Sequence, residues 1–94
     1  MELSLNGFTY TGVKVYRGQY ADGSLALTLE DEHGVITTAS VWTGFAPAEG
    51  CIWVKNYSEN AGLLDALEAA GVLERTGGSV QVGYVWVPEA RVLA

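Results

Sequence analysis

The side chains able to do chemistry in this chain are few, and their spacing limits what they can do. There is one cysteine, Cys51, and one histidine, His33, so neither a His/Cys zinc site nor an intramolecular disulfide can be assembled. Cys51 would be a nucleophile only beside an activating base. Its neighbours Gly50, Ile52 and Trp53 are apolar, the setting of a buried structural thiol. Glu30-Asp31-Glu32 could act as an acid/base pair, hold a cation weakly, or present a negative point to a basic groove. Consecutive residues in a turn point in different directions, so a solvated acidic turn is the simpler reading, with His33 at the surface beside it. Thr76-Gly77-Gly78-Ser79 has the glycines of a phosphate-binding loop but neither the Lys nor the helix that should follow. No catalytic group, metal or cofactor is expected.

Binding chemistry is better represented. Three Trp and five Tyr are many for 94 residues. Strand alternation puts Trp53, Lys55 and Tyr57 on the face opposite Ile52 and Val54, and separates Lys14 and Tyr16 from Val13 and Val15. One helix can cover only one face of a sheet. Tyr16, Trp53 and Tyr57 therefore form a candidate contact surface or homodimer interface, unless a curled sheet buries them as a second core. The chain carries eleven Asp and Glu against five Lys and Arg, a net charge of −6. That balance disfavours nucleic-acid phosphate and favours a basic protein surface. Asp22, Glu30, Asp31, Glu32 and Glu49 fall in expected turns or loops and are the candidate acidic contacts.

The elements that position these residues follow from the punctuation of the chain. Asn6-Gly7, between Leu3–Leu5 and Phe8–Tyr10, is the preferred pair for a type I′ hairpin turn. Asp22-Gly23 reverses Val13–Tyr16 into Ser24–Glu30, and Asp31–Gly34 turns that strand into Val35–Trp42. Gly44–Gly50 reads as a loop, and Cys51–Asn56 as a strand. A helix is expected over about 59–71, capped by Ser58 or Asn60, with Leu63, Leu64, Leu67 and Ala70 on its apolar stripe. If Gly71 is C′, then Leu67 and Val72 form the apolar contact of a Schellman motif. Val72–Arg75 and Val80–Val87 flank Thr76–Ser79 as a final hairpin, Pro88 ends the second strand, and Arg91–Leu93 adds a short edge segment. Residues 1–94 then form one domain of the α+β class, a mostly antiparallel twisted sheet of about five to seven strands with the helix on one face.

The chain is 49% apolar and 17% charged, outside the disordered class, and no apolar run approaches the roughly 20 residues of a membrane span. Its first residues lack the basic and apolar regions of a secretion signal, so a cytoplasmic location is expected.

The run Lys55-Asn56-Tyr57-Ser58-Glu59-Asn60-Ala61-Gly62-Leu63-Leu64, with Gly23–Leu29, Ala39–Trp42 and Gly83–Val85 around it, resembles a family of small bacterial proteins. That family is known as a domain of unknown function and is carried by phages, plasmids and conjugative elements. The resemblance covers Tyr16 to Val87 and departs from the pattern at Trp42, where Asn is usual, and at Ala61, where an acidic residue is usual. It implies context rather than chemistry. Small acidic proteins of such elements often bind and block a host defence component, so the expected function is a non-enzymatic protein-binding inhibitor of anti-CRISPR or anti-restriction type. An accessory nucleic-acid-binding or replication protein of the same elements is the alternative. For the signature residues themselves the simpler reading is a strand-to-helix corner, with Ser58 or Asn60 as the cap and Tyr57 packed beneath it.

Overall fold

The computed structural model describes residues 1–93. Over these residues the chain is α+β, with eight strands in three antiparallel sheets and one short α-helix. Strands β1 (Leu3–Leu5) and β2 (Phe8–Tyr10) form the expected first hairpin, and Asn6 and Gly7 both take the positive φ that a type I′ turn needs. Strands β3 (Lys14–Gln19), β4 (Leu25–Asp31) and β5 (Gly34–Thr38) form a meander. In the third sheet β8 (Val85–Val92) lies between β6 (Cys51–Trp53) and β7 (Leu73–Val82). The two larger sheets are stitched together after β5. Ser40 bridges to Val54, Val41 N donates to Trp53 O at 3.0 Å, and Lys55 N donates to Ala39 O at 2.8 Å.

One apolar cluster is shared by all these layers. Leu27 and Leu29 enter it from β4, Ile52 and Val54 from β6 and just beyond, and Leu3 and Leu5 from β1. This matches the period-2 expectation for β4 and β6. The exposed surface is 5360 Å², close to the roughly 5,200 Å² of a folded chain of this mass. No helix among the described residues is long and apolar enough to cross a membrane.

The helical region differs from its expected span. A 3-10 turn occupies Ser58–Asn60, the chain breaks at Gly62 with φ 87°, and the helix α1 runs only from Leu63 to Ala69. Ser58 and Asn60 do not cap it. Asn56 does, its Oδ1 accepting from Leu64 N at 2.9 Å. Asn60 is instead fully buried, accepting from Thr37 Oγ1 at 2.8 Å and donating to Thr38 O at 3.1 Å. Leu63, Leu64 and Leu67 are buried as expected, whereas Ala70 is exposed and Ala66 takes its place against the core. The helix ends as expected. Gly71 at φ 74° donates to Glu68 O at 3.0 Å and Val72 N donates to Leu67 O at 2.9 Å, the paired bonds of a Schellman motif, and Leu67 and Val72 are both buried.

The last hairpin also departs from expectation. Thr76–Ser79 is no turn but a bulge within β7: Arg75 pairs with Ala90 and Ser79 with Pro88, so β7 carries extra residues against β8. The turn is Gly83-Tyr84, between the pair Val82 and Val85. Pro88 does not end its strand: it pairs with Ser79 of β7, and its carbonyl accepts from Val54 N at 2.8 Å, so its nitrogen faces the side on which β6 has already ended at Trp53. Arg91 and Val92 belong to the central strand β8 and not to an edge.

Candidate functional site

The expected acidic residues separate into two groups at opposite ends of β4. Glu30, Asp31 and Glu32 lie at its C-terminal end, where Asp31 Oδ1 accepts from His33 N at 2.8 Å and Glu32 pairs with His33 at 3.5 Å. Asp22 lies in the turn before β4. Asp22 and Glu49 line one open groove of about 410 Å³ between that turn and the loop preceding β6.

The aromatic residues do not share one sheet face. Tyr16 sits exposed on β3, opposite Thr28, on the outer side of the meander. Trp53 is half-buried in the other three-stranded sheet, and Tyr57 is half-buried in the corner before the 3-10 turn. The three are thus distributed over two sheets and a corner. Trp53 acts within the fold, where its indole Nε1 donates to Phe45 O at 2.7 Å and so holds one side of the loop over Gly44–Gly50.

The other side of that loop is held by Glu89, a residue without a local sequence signal. From β8 it accepts from Ala48 N at 3.0 Å through Oε2 and from Thr76 Oγ1 at 2.6 Å through Oε1. The Ala48 bond first, then the Thr76 bond, hold its carboxyl below the usual carboxylate range. One ionised side chain therefore fixes both the loop and the β7 bulge. A Cβ at Gly78 would stand 3.0 Å from Glu89 Oε1, a tight contact to which the carboxylate would have to yield by a few tenths of an ångström.

Sequence reasoning also missed the aromatic wall at this end. Tyr20, in the turn between β3 and β4, and Trp42, just after the bridge at Ser40, have ring centroids 6.0 Å apart and planes tilted by 41°. Tyr20 Oη and Ser40 Oγ share a hydrogen bond of 2.8 Å, and the same Ser40 Oγ accepts from Leu27 N at 2.9 Å. Ser40 is buried, so the tyrosine ring is anchored to the core. Trp42 and Phe45 are exposed at 45% and 63%, too open to be core residues. The available signal was the pairing register, which brings the residues after β5 alongside β6, and it cannot be read from either segment alone.

Asp22 completes this end. Its Oδ1 accepts from Ser24 Oγ at 2.6 Å and from Ser24 N at 3.0 Å, bonds that hold the carboxyl below its usual range. Cys51, deep at the edge of the groove, is buried, and burial first, then the charge of Glu89, pushes its thiol up. The arrangement presents fixed negative charge beside exposed aromatic rings. Among the described residues no three His, Cys, Asp or Glu side chains gather as metal ligands would.

A second exposed apolar feature is the distal hairpin of β7 and β8, where Val82, Tyr84 and Trp86 are 43%, 103% and 64% exposed. The Lys55–Leu64 signature, in contrast, is occupied in holding the fold. Lys55 pairs with Glu59, Asn56 caps α1, Glu59 O accepts from Asn6 Nδ2, and Asn60 ties the corner to β5. The chain matches no model of a known protein family, no curated protein and no solved structure.

Proposed function

We propose that this protein is a non-enzymatic inhibitor encoded by a phage or mobile element, and that it works by occupying a basic surface of a host defence complex. The observation that carries this reading is the end of the molecule where Asp22 and Glu49 line one groove, Asp22 also lines a smaller cavity with the exposed Trp42, and the exposed Phe45 precedes the groove-lining Ala46. Acid flanked by aromatic anchors is a surface suited to a basic protein partner, since the charge steers the encounter and the rings supply contact area. The titrating groups agree with a role in presenting charge. Asp22 and Glu89 are held low and so ionised, and the Cys51 thiol is pushed up and so protonated. The signature's resemblance contributes the phage and mobile-element context.

The test is a pull-down from bacterial lysate with the tagged protein, washed at low and at high salt, beside a Trp42→Ala, Phe45→Ala double variant. Recovery of a defence nuclease or effector that is released by salt, lost with the double variant and inhibited on addition of the wild-type protein supports the reading. Recovery of nucleic acid instead would replace it with the accessory-protein alternative.

A further inference from the structure

We propose that Tyr20, Trp42 and Asp22 form a cage for the guanidinium of an arginine on the partner protein, an inference that rests on the inhibitor reading and names what its surface recognises. A cavity of about 260 Å³ is lined by Tyr20, Ala21, Asp22 and Trp42, and its surface is almost wholly apolar. Two aromatic faces attract a cation through their quadrupoles when it sits within about 6 Å of the ring centres. The ring centroids lie 6.0 Å apart with planes tilted by 41°, too close to admit a cation between them, so the guanidinium stacks at the open mouth of the pair, where the cavity lies.

The third member supplies the charge. Both turn bonds of Asp22 fall on Oδ1, leaving Oδ2 as the oxygen a ligand can take. The Tyr20 and Asp22 walls, and the backbone beside Trp42, are set before a ligand arrives. Tyr20 is tied to buried Ser40, its own turn is closed by Tyr20 N donating to Ser24 O at 2.8 Å and Gly23 N to Tyr20 O at 2.9 Å, and Val41 is bonded to Trp53. Preorganisation of this kind removes ordering cost from binding. Guanidinium is favoured over ammonium because it is planar and weakly hydrated, stacks on aromatic faces and pairs with a carboxylate at the same time.

The cage can be tested without any host protein. The probe is the peptide acetyl-Gly-Arg-Gly-amide, with matched peptides carrying citrulline or lysine in place of arginine. The readout is the indole N–H resonance of Trp42, assigned by its loss in a folded Trp42→Phe variant. The arginine peptide should shift this resonance and the amides of Asp22 to Ser24 with saturation, and the citrulline peptide should bind about five- to tenfold more weakly. Asp22→Asn, which keeps the Oδ1 acceptor for Ser24, should weaken the arginine peptide by a similar factor. An unmoved Trp42 resonance, equal binding of arginine and citrulline, tighter binding of lysine, or an unaffected Asp22→Asn variant would each overturn the cage. A cage that fails here while the pull-down still yields a defence effector leaves the inhibitor reading standing. A cage that holds while the pull-down yields none sinks the inhibitor reading alone.

Discussion

Asn60 and Glu89 carry the polar architecture, and both act over distances that local sequence does not encode. Asn60 was legible as a polar residue at the corner and was expected as a helix cap. The cap is Asn56, because the break at Gly62 delays the helix and puts Leu64 N within its reach. Freed from capping, Asn60 is buried against β5, where its amide satisfies the Thr37 hydroxyl and the Thr38 carbonyl. Asn60→Ala would remove the partner of the half-buried Thr37 hydroxyl and of the carbonyl of the exposed Thr38, and should cost about 1–2 kcal/mol in urea unfolding. A loss below about 0.5 kcal/mol would mean that water replaces the amide. Glu89 was not legible at all, since its partners Ala48 and Thr76 lie 41 and 13 positions earlier. Its carboxyl is held low in the folded chain, so its contribution is fully present above the ordinary carboxylate value of about 4.3. That contribution is lost as pH falls through the lowered value. Thermal unfolding between pH 7 and pH 3 should therefore show an acid limb that is shallower in Glu89→Gln. An identical limb in the variant would assign the acid sensitivity to other carboxylates.

At the scale of elements, what could be read depended on whether the signal was local. The Asn6-Gly7 hairpin, the alternation of β4 and β6, and the Leu67, Gly71 and Val72 helix end are local patterns, and each is found as expected. The final hairpin was misread because Thr76–Ser79 has the composition of a turn but serves as a bulge. Gly77 there takes φ 88°, and Gly78 makes room for Glu89. The true turn carried its own signal, a glycine at the first of two central positions with φ 60°, as in a type II′ turn. Moving the turn to Gly83-Tyr84 lengthens the hairpin and carries Tyr84 and Trp86 out of the core. Trp86→Ser should accordingly change stability by less than about 0.5 kcal/mol. Leu67→Ala, on the buried face of α1, should cost about 2–5 kcal/mol. Similar losses for the two, measured by the same denaturant titration, would mean that the hairpin packs more tightly than its exposure indicates.

For the molecule as a whole, a net charge of −6 was legible at once, but its distribution was not. Lys55 is paired with Glu59, Arg75 with Asp65 and Glu68, and Arg91 with Glu74, so much of the acid on the helix side is locally compensated. The turn acids fall at the two ends of β4, about 20 Å apart for a strand of this length. At physiological ionic strength the screening length is about 8 Å, so the two ends do not add their fields at a bound surface. A partner held by the Asp22 end should then ignore the other one. Asp22→Asn with Glu49→Gln should weaken capture of the partner and flatten its salt dependence. Glu30→Gln with Asp31→Asn and Glu32→Gln should leave capture within about twofold, although that variant removes three charges where the first removes two. The pair of variants separates recognition by place from attraction by net charge. If the triple variant loses more binding than the double, measured side by side at two salt concentrations, total charge governs the interaction and the Asp22 end has no special standing.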